Sequence, residues 1–216
     1  PNVFYNQEWN DQGSYLHPFD LAGAKGILVG GNTVATADTV FNADGSVTVN
    51  EQAQNSDTRF EGQSEVFLFH TDASSNRVSV RTDNPRAGFE VNGSLAFAAK
   101  TSSIAAATGI PATDIQNNRV IYLESSGACS VDLNAVPQIA AGADGQIITL
   151  IGRYNDETIK LDDGDGLALA NNVSHTLKAK DSITLMYSSG LAEWIEISRT
   201  NYVERTGDSY DRGTCI

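Results

Sequence analysis

The feature that most limits the fold of this chain is the brevity of its apolar runs. Ile27-Leu28-Val29 stops at Gly30-Gly31, Thr39-Val40-Phe41 runs into Asn42-Ala43-Asp44-Gly45, and Ser46-Val47-Thr48-Val49 resumes beyond it. Asp-Gly between alternating runs is a hairpin signal. Thr58 to Gly62, Val66 to Phe69, Arg77 to Val80 and Gly88 to Val91 follow, parted by turn sequences at 72–76, Asn84-Pro85 and Asn92-Gly93. Strands this short cannot bury a face alone, and their open edges must be covered or paired. Interleaving three copies of the chain would supply the missing neighbours, so residues 27–98 are expected to form the β stem of a homotrimer.

The flanking regions differ in texture. Residues 1–26 are irregular and aromatic, with Phe4, Tyr5, Trp9, Tyr15 and Phe19 broken by His17-Pro18, Gly23 and Gly26. Two readings are open: an attachment arm that orders against a partner, or an N-terminal strand folded over its own core. Residues 99–117, Ala-rich and closed by Gly109-Ile110-Pro111, read as a linker or short helix. From 118 to 205 the alternation is regular. Strands are expected at 119–123, 128–133, 145–152, 158–161, 167–169, 174–177, 181–187 and 193–198, a spacing that indicates a β-sandwich or small barrel. Residues 206–216 are polar and expected to be a loose tail.

Charge narrows the function. The 14 Lys and Arg against 27 Asp and Glu leave a net charge of −13. Neither nucleic acid nor an anionic membrane is an expected partner, since both need basic clusters. No secretory signal opens the chain, no apolar run approaches the roughly 18 residues of a membrane span, and Pro1 fits loss of an initiator Met or a fragment. The two cysteines, Cys129 and Cys215, have no CxxC spacing and read as free thiols in reducing cytosol.

Two stretches resemble known virion proteins. Asp57-Thr58-Arg59-Phe60-Glu61-Gly62, Phe67-Leu68-Phe69, Asp72-Ala73-Ser74-Ser75-Asn76-Arg77-Val78, Pro85 and Phe89-Glu90-Val91-Asn92-Gly93-Ser94 follow a pattern common in phage fibre and virion appendage proteins. The family usually has Gly-Ile-Gly-Thr after its Arg-Val, where this chain has Ser79-Val80-Arg81-Thr82. The turn there must therefore be made without either glycine. Asp144 to Arg199 is similar to a domain at the ends of phage fibres, through Asp144-Gly145-Gln146, Asp181-Ser182-Ile183-Thr184-Leu185 and Trp194-Ile195-Glu196-Ile197-Ser198-Arg199. Both are folding motifs rather than sites, and together they cover about half the chain. The resemblance implies a mainly β homotrimer, with an intertwined β stem followed by a β-sandwich, jelly-roll-like head.

Little in the sequence points to chemistry. His17, His70 and His175 fall one to a region with no ligand spacing, and His70 and His175 read as strand-end or surface residues. No Gly-x-Ser-x-Gly elbow is present. Asp162-Asp163-Gly164-Asp165-Gly166 lacks the spacing of a helix–loop–helix calcium site and reads as a turn. Of the head aromatics Tyr122, Tyr154, Tyr187 and Trp194, Trp194 alternates with Ile195 and Ile197 and reads as core, whereas Tyr154 reads as loop-exposed.

The resulting expectation is a non-enzymatic structural protein of a bacteriophage, assembled in host cytoplasm and placed on the virion surface, with no cofactor and no bound metal. It would dock on the major capsid protein or another virion component through Phe4, Tyr5, Trp9, Tyr15 and Phe19, and project outward from capsid or neck. The alternative is a tail fibre or spike tip that binds a host surface glycan, with Tyr154, Asp163 and Asp165 facing the receptor. A polysaccharide depolymerase ranks behind both, because no distinguished carboxylate pair and no long β-helix repeat is visible.

Overall fold

The computed structural model describes residues 55–127, 129–203 and 210–211, and within 16–49 four strands, by their backbone alone except for Val47 and Val49. The chain is mainly β, with several sheets, and divides into two compact units, Pro1–Leu95 and Ala96–Ile216. Among the described residues no helix is long and apolar enough to cross a membrane.

The first unit holds two four-stranded sheets. In one, β1 (Leu16–Leu21), β2 (Ala24–Val29), β3 (Thr39–Phe41) and β4 (Val47–Val49) form an antiparallel meander. The segment 1–26 is thus not irregular throughout: Leu16–Leu21 pairs with Ala24–Val29, Phe19 opposite Gly26. Pro18 is tolerated because β1 is the sheet's edge, where a missing N–H need break no ladder bond. β3 and β4 pair as expected of a hairpin, Phe41 opposite Val47; the Asp44-Gly45 link lies outside the described residues.

The other sheet orders β5 (Thr58–Phe60), β6 (Phe69–Asp72), β7 (Arg77–Val80) and β8 (Phe89–Val91) side by side, with β7 and β8 parallel. The apolar run 66–69, expected as a strand, is a turn up to Leu68, and the strand starts at Phe69. Local bonds bend it: the Glu65 carboxylate accepts from Phe67 N at 3.3 Å, and Gly62 N donates to Glu65 O at 2.7 Å. The motif residues prove to be turn chemistry. Asp57 accepts from Ala73 N at 2.9 Å, and Arg77 donates to Pro85 O at 2.6 Å. Asp72 accepts from the hydroxyls of Ser74 and Ser75, which hold its pKa down at about 2, Ser74 contributing most.

Arg81, at the second missing glycine, keeps a left-handed backbone with φ of 62°. Its N–H donates to Phe67 O at 2.7 Å, its carbonyl accepts from Asn92 Nδ2 at 3.1 Å, and its guanidinium meets Glu65 at 3.3 Å. These bonds hold an L-residue where glycine would be relaxed.

The second unit runs β9 (Ala99–Ile104), α1 (Ala112–Asn117), β10 (Val120–Ser125), β11 (Ser130–Asp132), β12 (Ile147–Gly152), β13 (Thr158–Leu161), β14 (Leu167–Ala168), β15 (His175–Leu177), β16 (Ser182–Ser188) and β17 (Glu193–Thr200). A mixed sheet orders them β14-β17-β16-β12-β10-β9, and a smaller one β11-β13-β15. The strands read from period-two alternation at 118–203 are all present. The region 99–117 differs. Residues 99–104 are strand rather than helix or linker, because Ser102 and Ile104 point into the core while β9 pairs in parallel with β10. Helix α1 starts only after Pro111, and its buried Asp114 accepts from Lys100 and Ser102, tying the helix to β9.

The core is one cluster. It takes in Ile121 and Leu123 of β10, Ile148 and Leu150 of β12, Ile159 and Leu161 of β13, Leu177 of β15, Ile183 and Leu185 of β16 and Trp194 of β17. Trp194 is fully buried, donates its indole N–H to Ala140 O at 2.9 Å and packs 5.1 Å from the Tyr187 ring. Cys129 corrects the expectation of free thiols: it is disulfide-bonded, and the sequence holds one other cysteine, Cys215. Distance along the chain does not limit pairing once folding brings remote segments together.

The Arg81 turn generates a controlled comparison. Arg81→Gly and Arg81→Ala both lose the guanidinium contact, but only glycine is at ease at positive φ. Arg81→Gly should be the more stable of the two by about 1 kcal/mol in chemical denaturation. Equal stabilities would show that this turn is not held in the left-handed region.

Candidate functional site

The outward face of the mixed sheet in the second unit carries a row of paired side chains beside a groove. Because Ile121, Leu150 and Ile183 face the core, their neighbours Thr101, Tyr122, Ile151 and Ser182 form a cross-strand row on the other face: Tyr122 stands opposite Thr101 on β9 and Ile151 on β12, and Ile151 opposite Ser182. Thr101, Tyr122, Ile151, Arg153, Lys180 and Tyr210 line an open groove of about 390 Å³.

The loop that presents Lys180 is held firmly. Lys180 N donates to Gly152 O and Gly152 N to Asp181 O, both at 2.9 Å. A Cβ at Gly152 would sit 2.0 Å from the Lys178 carbonyl oxygen, so only glycine lets this loop close on β12. The buried Asp181 carboxylate accepts from Lys178 N and Tyr202 N. Lys180 then places its ammonium 4.0 Å from the Tyr210 ring centre and 4.3 Å from that of Tyr202. Bonding to Tyr210 and then to Tyr202 raises its pKa, so it stays charged. Arg153 pairs with Glu124 at 2.7 Å and lies over the Tyr154 ring at 5.2 Å. Asn155 N donates to Tyr210 O at 3.2 Å, so this part of the expected loose tail is bonded to the loop before β13.

The receptor-facing residues read from the sequence do not converge. Tyr154 is half-buried beside Arg153, before β13 begins, whereas Asp163 and Asp165 are exposed after it ends. Four strand residues, about 13 Å, separate the two loops. In the acidic loop, Asp162 accepts from Lys160 and Ser174 at 2.7 Å, and Asp163 accepts from Leu169 N at 2.8 Å. Buried Gln138 donates to the carbonyls of Asp162 and Gly164. With Gly164 and Gly166 at positive φ this is turn chemistry, as read. Among the described residues no group of three His, Cys, Asp or Glu is placed to hold a metal. Phe4, Tyr5, Trp9 and Tyr15 lie outside the described residues, and Phe19 is described only as backbone in β1.

Sequence reasoning missed the Tyr122, Lys180 and Tyr210 grouping, because residues so remote from one another share no local spacing. The signal open to inspection was period two in β10, which puts Tyr122 opposite in sense to Ile121 and Leu123.

His70 and His175 do sit at strand ends, His70 second in β6 and His175 first in β15, but neither is at the surface: both side chains are buried. His70 has Asp57 Oδ2 3.5 Å from Nε2 and Ser79 Oγ 3.5 Å from Nδ1. The trio has the composition of a hydrolytic triad but not its geometry. Ser79 is fully buried and donates its proton to Thr82 O at 2.6 Å, so its oxygen is neither accessible nor activated by His70. The trio instead braces β5, β6 and β7. No protein-family model, curated protein or solved structure matches the chain.

His175 in β15 buries its Nε2 with no hydrogen-bond partner among the described residues. Burial, and then the charge of Arg199, hold its pKa below the usual 6.5. The folded second unit therefore disfavours the protonated His175 that the unfolded chain can adopt. Stability is complete above the unfolded value of about 6.5 and falls as pH drops below it, until the lower folded pKa is passed. Thermal melts at about pH 7.5 and 5.5 should show a smaller acid-induced loss of Tm in His175→Phe than in the parent chain. An unchanged loss would assign the titration to another group.

Proposed function

We propose that this protein is a non-enzymatic structural component of a bacteriophage virion: a homotrimeric fibre or decoration whose first unit is the trimeric β stem and whose second is a β-sandwich head. The carrying observation is the contrast in burial between the units. The head closes a core of its own, whereas no hydrophobic side chain among the described residues of the first unit is fully buried. Phe60 is 60% exposed, Phe89 58% and Leu95 59%, and Val66, Leu68 and Phe69 are exposed with them. Val47, Val49, Phe60 and Val78 also line a groove of about 660 Å³. Apolar surface in such quantity marks an interaction face, and burying one phenylalanine is worth about 1.5–3 kcal/mol. Copies of the same chain bring matching short strands and matching apolar faces.

The N-terminal aromatic segment is then the attachment end, reaching the major capsid protein or another virion component, and the head is distal. The alternative role, a fibre tip that binds a host surface glycan, is favoured by one observation, the tyrosine-lined groove on the head.

Sedimentation equilibrium should return three chain masses, and Phe60→Asp should shift the population toward monomer while leaving the head's melting unchanged. A parent chain that sediments as one chain mass would sink the trimer. Deleting residues 1–20 should leave a folded trimer that no longer incorporates into particles, as counted by electron microscopy of virions; undiminished incorporation would place the attachment surface elsewhere.

A further inference from the structure

We propose that the groove between Tyr122, Lys180 and Tyr210 is a saccharide-binding site that takes one pyranose residue of a surface glycan. It gives the glycan-binding alternative a location, and it stands on the second unit alone.

Three features select this ligand class. The first is aromatic surface on a rigid base. Tyr122 projects from β10, which is paired on both sides by β9 and β12, and is 38% exposed, though its strand neighbours Ile121 and Leu123 are fully buried. A pyranose presents C–H bonds on one face, and such a face packs on an aromatic ring without losing the hydration of its hydroxyls. The second is the mixture of donors and acceptors at the rim. Thr101 and Tyr122 contribute hydroxyls, which both donate and accept, and Arg153, held at 2.7 Å by Glu124 beside the groove, offers N–H donors. Sugar hydroxyls both donate and accept, so a rim of this kind satisfies them where a purely cationic rim would not. The third is shape. The groove is open to solvent and within the size range of small-ligand sites, so it suits a ligand with one apolar face and one wet face better than a wholly apolar molecule.

Preorganisation supports the assignment. Lys180 is fixed between Tyr202 and Tyr210 by a loop that only Gly152 permits, and Asn155 secures the Tyr210 backbone. Little side-chain freedom is left to lose on binding.

The test is a titration of the full chain, read by saturation-transfer NMR, with methyl glycosides of glucose, galactose, mannose and N-acetylglucosamine. The methyl glycoside of N-acetylneuraminic acid separates anionic from neutral sugars. At least one glycoside should bind, Tyr122→Ala should weaken it about tenfold, and Tyr122→Phe should largely retain it. Thr101→Arg, a change at an exposed edge-strand position, should abolish binding without touching the core. Absence of binding to every glycoside, or equal binding by the parent, Tyr122→Ala and Thr101→Arg, overturns the site. Binding by a chain that sediments as a monomer would remove the trimer and leave the site standing.

Discussion

The antiparallel register of β12 against β16 governs the second unit. Ile148 faces Leu185 and Leu150 faces Ile183, so both strands turn the same face inward. The side-chain period is two, and a slip of one residue would send Ile148 and Leu150 to water and bring Ile151 inside. The inner face carries the packing of Trp194 and of the smaller sheet. The outer face carries Tyr122, Ile151 and the seat of the Lys180 loop. One register thus sets both the packing of the second unit and the composition of its outer face.

The first unit follows the opposite logic. Its strands are held by turn chemistry rather than by a core: Asp57, Asp72, Arg77, Asn92 and the left-handed Arg81 bond to backbone at the ends of β5 to β8. The residues that are buried include His70 and Ser79, polar groups bonded to their neighbours. Turn bonds define a local path but remove little apolar surface from water, and it is the removal of apolar surface that contributes most to stability. A unit so organised leaves its phenylalanines and valines exposed, and burying them against added neighbours would be favourable.

Charge completes the division. With a net charge of −13 the chain repels its own kind at long range. Any self-association would have to overcome that repulsion by short-range burial of apolar surface, the kind the first unit exposes. In the second unit, the cations near the groove are paired with carboxylate or set among tyrosine rings, so the groove presents ring faces and hydrogen-bonding groups rather than net positive potential.

Local pattern in the sequence was enough to place the head strands, the turn at Asp162–Gly166 and the buried Trp194. Each depends on residues a few positions apart, where alternation and turn preference act directly. It was not enough for residues 99–104, whose Ala-rich neighbourhood suggests helix until β10 lies beside them and Ser102 and Ile104 have a core to enter. Nor could it find the buried histidines, the disulfide at Cys129 or the meeting of Tyr122, Lys180 and Tyr210. Those depend on which strands become neighbours, and strand order follows from burying one shared core rather than from any local spacing. Period two told which side of its strand Tyr122 would take; only the assembled sheet decided what would stand beside it.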